Sequence, residues 1–179
     1  MVMKCAEVIR LIRPTQDMAA AAMGFRQAFF DSGEQVINGS ELLDRETESY
    51  ENWQARVEAQ ASAETADPNW VVTDTFFAVR EEDERIVGII ALRHELKGFL
   101  RDFGHCGFSV RPDERCKGYA GKMLQLICER ARGLGMPSLQ LSAEAANLPS
   151  NRVILRAGGV FCRSFDYQGE VAHVYTLPL

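Results

Sequence analysis

Apolar or small residues recur at Ala120, Met123, Leu124, Ile127, Cys128, Ala131 and Leu134, and Lys122, Gln125, Glu129 and Arg132 fall on the opposite side. This i, i+3, i+4, i+7 spacing predicts an amphipathic helix, the best in the chain. Before it, Gly104 to Val110 reads as a strand, stopped by the turn chemistry of Pro112 and Asp113. Further upstream, Val8 to Ile12 is apolar apart from Arg10 and predicts a first strand closed by Arg13-Pro14. Thr15 and Asp17 offer caps for an alanine-rich helix from about Met18 to Phe30, with Asp31-Ser32-Gly33 as its stop. Residues 34–45 are irregular around the turn signal Asn38-Gly39, and residues 46–63 predict a second helix with Tyr50, Trp53, Val57 and Ala61 on one face. Asp67-Pro68-Asn69 ends that helix. Thr75 to Arg80 and Ile86 to Arg93 then predict two strands joined by the charged tip Glu81-Glu82-Asp83-Glu84, which reads as a solvated turn. Residues 94–103 form a connection with a helical turn.

Beyond the amphipathic helix, Gly133, Gly135 and Pro137 give a stop. Ser138 to Ser142 predicts a short buried strand, and Pro149 to Ala157 a helix closed by Gly158-Gly159. Val160 to Tyr167 and Val171 to Leu177 predict a final antiparallel pair. The order is an α/β mixture with a largely antiparallel sheet, in which only the unit around Gly118 demands a strand–helix–strand crossover.

Composition narrows the class. A chain of 179 residues, 46% hydrophobic and 25% charged, suits one soluble domain with a real core. A formal net charge of −5 gives no support to a nucleic-acid partner. Locally the balance reverses, because Arg111, Arg115, Lys117 and Lys122 are opposed only by Asp113 and Glu114. Cys5, Cys106, Cys116, Cys128 and Cys162 are odd in number and contain no C-x-x-C pair, so they read as reduced thiols of an intracellular protein. His94, His105 and His173 share no metal-ligand spacing, and no metal is expected. The N-terminal residues carry Lys4, Glu7 and Arg10 without a long apolar run, so neither a leader nor a membrane span is expected and a cytoplasmic location is the default.

Arg115 to Lys122 joins the strand to the helix through a basic, glycine-containing loop. Uncapped N–H groups and the helix dipole favour an anion there, a phosphate above all. Two phosphate motifs fail on spelling. The P-loop pattern needs glycine where Cys116 stands and serine or threonine where Met123 stands. The dinucleotide fingerprint finds Cys116 and Ala120 on either side of Gly118 where it needs glycine.

The spelling that fits is R-x-x-G-x-[GA], met by Arg115, Gly118 and Ala120 between a strand ending in Val110-Arg111-Pro112 and a long amphipathic helix. Downstream, Asn147 and Ser150 fit N-x-x-[AS], followed by Gly158-Gly159. On these residues the chain resembles the GNAT superfamily of N-acetyltransferases from about Val8 to Leu177, and Leu42-Leu43-Asp44-Arg45 and Leu92-Arg93-His94-Glu95-Leu96 resemble one branch of it. The resemblance implies a GNAT-like acyl-CoA N-acyltransferase fold: a six- to seven-stranded, mostly antiparallel mixed sheet with a central splayed strand pair, flanked by about four helices. It implies acetyl-CoA as cosubstrate and a small-molecule or peptide amine as acceptor, in a monomer or homodimer.

Position by position, the resemblance implies that backbone N–H groups of Arg115, Cys116, Lys117, Gly118, Tyr119 and Ala120 hold the pyrophosphate. Phe108, Ser109 and Val110 would pair with the pantetheine arm, the Val110 N–H would serve as oxyanion donor, and Asn147 and Ser150 would contact the arm from the other side. Ser150 reads equally as a first-turn helix residue. Many members carry a tyrosine acid seven residues after the asparagine, where this chain has Ile154. Tyr119 and Tyr167 are alternative acids, also readable as packing. Glu144 and His105 are candidate bases, though each reads more simply as structural, Glu144 as a solvated loop carboxylate and His105 as a strand histidine bonded to backbone. His94 and Glu95 could face the substrate mouth, and Cys106 or Cys116 would need a base to act as nucleophile. Residues 31–72, with Glu41, Asp44, Trp53 and Trp70, are expected to wall the acceptor site. The reaction expected is direct acetyl transfer to an amine; the alternative is an acyl-CoA sensor without turnover, which the missing tyrosine favours.

Overall fold

The computed structural model describes residues 7–179; Cys5 and the start of the N-terminal segment lie outside the described residues. Strands β2 (Thr73–Arg80) and β3 (Arg85–Arg93) are buried on both faces over nearly their whole length, which is why Phe76-Phe77-Ala78-Val79 and Ile89-Ile90-Ala91-Leu92 read as unbroken apolar runs. They form the middle of a four-stranded antiparallel sheet whose edges are β1 (Ile9–Ile12) and β4 (Cys106–Val110). Helices α1 (Ala19–Asp31) and α2 (Tyr50–Gln60) cover one face. There Phe25, Phe29 and Trp53 pack on Phe77 and Ile89. A one-turn helix, α3 (Leu100–Phe103), precedes β4. The 15-residue α4 (Tyr119–Gly133) covers the opposite face, burying Met123, Leu124, Ile127, Cys128 and Ala131, the stripe that its periodicity predicts.

A second, three-stranded antiparallel sheet has the order β5 (Ser138–Glu144), β7 (Glu170–Pro178), β6 (Val160–Tyr167). Helix α5 (Leu148–Arg156) packs on α4 and β5. Among the described residues the seven strands pair antiparallel, in keeping with the expected sheet, and fall into two ladders, while the α-helices number five, the extra one being the single turn α3. The ladders meet at a bridge between Gly104 and Leu141, supported by a bond from the His105 N–H to the Gln140 oxygen (2.8 Å). The β4–α4–β5 unit carries the chain from the edge of one sheet to the edge of the other.

Helix α2 is shorter than its pattern predicts. Ser49 caps it by accepting from the Asn52 N–H at 3.2 Å, and residues 45–48 close in a turn instead. The predicted strand from Gly104 starts two residues later, because Gly104 stands at a φ of 90° as the cap of α3.

Candidate acyl-donor and acceptor site

The ladder register sets what β4 can offer. The Arg111 N–H donates to Val87 (2.8 Å) and the Arg93 N–H to His105 (2.7 Å), with Val110 opposite Gly88 and Cys106 opposite Leu92. Antiparallel alternation then turns the N–H and C=O of Gly107 and Ser109 toward β3 and those of Phe108 and Val110 toward the outer edge. Ser109, grouped with Phe108 and Val110 from the sequence, therefore keeps its backbone inside the ladder, and its hydroxyl donates to the Asn38 oxygen (2.9 Å). The Val110 oxygen accepts from Arg115 Nε at 3.2 Å, and its N–H points outward.

A short 3₁₀ turn, Pro112–Glu114, leads to the loop. Cys116 (φ 63°) and Gly118 (φ 84°) are both left-handed, and a Cβ built on Gly118 would meet nothing within 4 Å. Glycine at the cap has no side chain to occupy the first-turn N–H groups of Tyr119, Ala120 and Gly121, which lack intrahelical acceptors. The loop's side chains are tied elsewhere. Arg115 grips both oxygens of Glu34 (2.8 and 2.9 Å), which holds that carboxyl below its usual range. Lys117 donates to Glu114 (2.7 Å), a buried carboxylate that also takes Arg80 (3.0 Å). The Tyr119 ring is buried and its hydroxyl is bonded to Glu7 and Arg80, with burial and Glu7 pushing its pKa up. As an acid Tyr119 faces the wrong side of the helix, so only its backbone belongs to the loop. From Gly118 and Gly121 a groove of about 390 Å³ continues between α4 and α5 past Gln125, Arg132 and Arg156.

Across the gap, Asn147 caps α5, its Oδ1 accepting from the Ser150 N–H (3.2 Å). Ser150 sits in that first turn. Ile154 is buried in the core, where the Gly159 Cα closes on it so tightly that a Cβ would lie 2.8 Å from its oxygen. Asn151 was missed from the sequence. Its amide donates to the Glu144 oxygen (2.8 Å) and its Oδ1 accepts from the buried Tyr175 hydroxyl (2.5 Å), a link between positions 24 apart that no local pattern signals.

The two candidate bases differ. Glu144 ends β5 with an exposed side chain. His105 accepts the Gln140 N–H at Nδ1 (2.9 Å), which puts its one proton on Nε2, and burial together with Arg93 lowers its pKa. Neutral His105 therefore has no lone pair left for a proton from substrate. His94 is turned to Asp74 (3.1 Å). Cys106 is buried, its thiol pushed up to about 12 by burial, and is no nucleophile. Tyr167 packs its ring on Phe103 at the edge of the second sheet.

On the α1/α2 face lies a cavity of about 460 Å³. Glu41, Asp44 and Trp70 line it; Trp53 does not, being fully buried with its indole N–H on the Ser40 oxygen (2.8 Å). Its sheet floor includes Thr73, Thr75 and Arg93, none of which the sequence reading assigned to the acceptor side, and Thr73 lies outside the predicted strand. Gly39 touches the β4 backbone, where a Cβ would fall 2.1 Å from the Gly107 oxygen, so the cavity's loop lies against the strand whose outer edge is free. Among the described residues no cluster of three His, Cys, Asp or Glu side chains is placed to hold a metal, and no helix is long and apolar enough to cross a membrane.

No protein of curated function matches the sequence. Among solved structures, the chain is similar to RimJ of Mycobacterium smegmatis, in complex with CoA-disulfide, at 16% identity and a TM-score of 0.72, covering 97% of this chain and 83% of that one. A GNAT-family acetyltransferase of Streptococcus pneumoniae gives 16% identity and 0.69, covering 96% and 99%. yncA of Salmonella typhimurium, solved with acetyl-CoA, gives 18% and 0.67, covering 98% and 95%. The family model described as acetyltransferase (GNAT) domain matches residues 9–160. Because that match runs from the first residue of β1 to the first residue of β6, the chain belongs to the GNAT family of acetyltransferases.

Proposed function

We propose that the chain transfers an acetyl group from acetyl-CoA directly to a primary amine of a small molecule or peptide. The observation that carries this reading is the free outer edge of β4 running straight into the glycine-capped start of α4. The first-turn N–H groups of α4, together with those of the loop from Arg115, would take the pyrophosphate, with Gly118 leaving the approach bare. Phe108 and Val110 would pair with the pantetheine arm as an added strand does, and the Val110 N–H would polarise the thioester carbonyl. The groove past Arg132 and Arg156 suits the adenosine end and its phosphate. Asn147 and Ser150, on the other side of the gap, would hold the arm through the first turn of α5.

The amine must lose a proton, and with the His105 lone pair committed, exposed Glu144 is the remaining candidate to collect it, directly or through water. A second reading, an acyl-CoA sensor without turnover, is favoured by Ile154, a buried hydrocarbon where many members carry the acid.

Thermal denaturation with acetyl-CoA tests the site. At ~100 times its Kd the ligand should stabilise by about 2.7 kcal/mol. Gly118→Val should abolish that shift; its Cβ enters open space, but valine at a φ of 84° is strained, so the unliganded variant should still unfold cooperatively at a somewhat lower Tm. A normal shift in the variant would place the cradle elsewhere. Thiol release with a panel of amines then separates enzyme from sensor.

A further inference from the structure

Three buried side-chain polar atoms among the described residues have no hydrogen-bond partner: Thr75 Oγ1, Arg93 Nε and Arg85 Nε. Arg85 Nε lies 3.1 Å from the Glu114 carboxylate, inside an ion cluster. The other two belong to residues lining the 460 Å³ cavity. Their neighbours there show the usual behaviour: Thr73 donates to the Val71 oxygen (2.8 Å) and Gln60 to the same atom (2.9 Å). A buried polar group without a partner is rare, because its bond to water has been given up and not replaced.

Both atoms lack the same thing. Arginine Nε is a donor only, and the threonine hydroxyl has a proton to give. The register places Thr73 opposite Arg93 and Thr75 opposite Ala91, so Thr75 and Arg93 are diagonal neighbours on one face of the β2–β3 pair. Arg93 has one terminal nitrogen on the Gly104 oxygen (3.1 Å), and the other reaches Glu41 only at 3.4 Å. A planar, oriented cation with an unserved edge beside a hydroxyl is what a carboxylate accepts from. Beside Arg93 the lining carries carboxylates together with Arg56. Glu41 and Asp44 lie there, with Glu41 and Leu42 both held in left-handed backbone (φ 49° and 74°), a strained arrangement of the kind that clusters at ligand sites. Ile37, Leu42, Val57 and Trp70 supply apolar wall.

We infer that the cavity takes an acceptor amine that also carries a carboxylate, in the manner of a free amino acid. Its carboxylate accepts from the Arg93 guanidinium and, once side-chain shifts on binding open the two buried donors, from Arg93 Nε and the Thr75 hydroxyl; its ammonium group faces Glu41, and its apolar body lies on Ile37, Leu42, Val57 and Trp70. The contact between Gly39 and Gly107 sets this acceptor beside β4, where the acyl donor is proposed to bind, so the inference rests on the N-acetyltransferase reading.

The test uses free amino acids, each beside its carboxamide and its decarboxylated amine, with thiol release from acetyl-CoA as the readout. For the best amino acid, kcat/KM should exceed that of its amide and amine by about tenfold or more, the loss expected when charged hydrogen bonds are left unmade. Thr75→Val and Arg93→Lys should each raise KM for that amino acid several-fold, narrow its lead over the amide and leave the KM for acetyl-CoA unchanged. Thr75→Val is isosteric and removes a hydroxyl that has no partner, so its Tm should not fall; a lower Tm with unaltered KM would show that the hydroxyl serves the fold and overturn the assignment. Equal turnover of acids, amides and amines by the wild type would also overturn it while leaving the N-acetyltransferase reading intact. Thermal shifts without acetyl-CoA keep the two readings apart: stabilisation by the amino acid and not its amide, lost in Thr75→Val, supports the cavity whether or not acetyl-CoA binds.

Discussion

At position 105 a histidine stands where the two ladders meet and is fixed by its own fold. Its Nδ1 accepts the Gln140 N–H, so it helps to stitch the two sheets together. His105→Ala should cost about 1–2 kcal/mol by leaving that N–H unmet, and His105→Asn, whose carbonyl can accept in its place, should recover part of it. Burial and Arg93 depress the pKa of this histidine, so the unfolded chain binds the extra proton more readily. Its contribution is complete above the unfolded value of about 6.5 and is lost as pH falls through the folded pKa. Chemical denaturation of wild type and His105→Asn across pH 4 to 8 should therefore converge at low pH. A pH–rate profile whose acidic limb disappeared in His105→Asn at unchanged stability would restore the histidine as a base. Ile154 and Gly159 show the same principle in the core, where close packing of backbone on side chain leaves no room for a catalytic phenol.

At the scale of elements, the amphipathic helix α4 was legible from its spacing because burial on one face repeats every 3.6 residues. What fixes its far half is not periodic. Asp74, on β2, is fully buried and bonded to Arg13 after β1, His94 after β3 and Arg130 on α4. Burial alone would raise its pKa, but Arg13, His94 and Arg130 outweigh that and hold the carboxyl below the usual range. Asp74→Asn should destabilise by about 1–3 kcal/mol, less than for a wholly buried pair because Arg13 and Arg130 stay half exposed and can find water. With the folded pKa lowered, this stabilisation is present above the unfolded value of about 3.9 and lost as pH falls through the folded one. The gap in Tm between wild type and variant should be constant above about pH 5 and shrink toward pH 2; a gap independent of pH would mean that packing, not charge, is at stake. These four residues come from four stretches of chain, and no window of sequence holds them.

For the whole molecule, the consequential feature is that β4 and β5 are the facing edges of separate ladders. The alternation along β4 makes a sharp prediction for amide hydrogen exchange. Without ligand, the Gly107 and Ser109 amides, held by β3, should exchange slowly, and those of Phe108 and Val110 quickly. Acetyl-CoA should slow Phe108, Val110 and the first-turn amides of α4 together. Protection confined to α4 would leave the pyrophosphate cradle standing and remove the proposed strand pairing.

The sequence by itself determined the element order, the antiparallel bias, the α4 stripe and the glycine-bearing loop ahead of α4. Each is local: hydrophobic period, turn chemistry and cap preference act over a few residues and leave their mark in spacing. It also grouped Glu41, Asp44 and Trp70, which together line one cavity. Only the tertiary structure decided which neighbours each polar group meets. It turned Ser109 inward, gave His105 to Gln140 and Tyr119 to Glu7 and Arg80, buried Trp53, and left the Thr75 hydroxyl and Arg93 Nε unpartnered in residues that line a cavity. Those outcomes depend on strand register and on contacts between distant segments, where a shift of one residue exchanges the faces of a strand, so no local pattern encodes them.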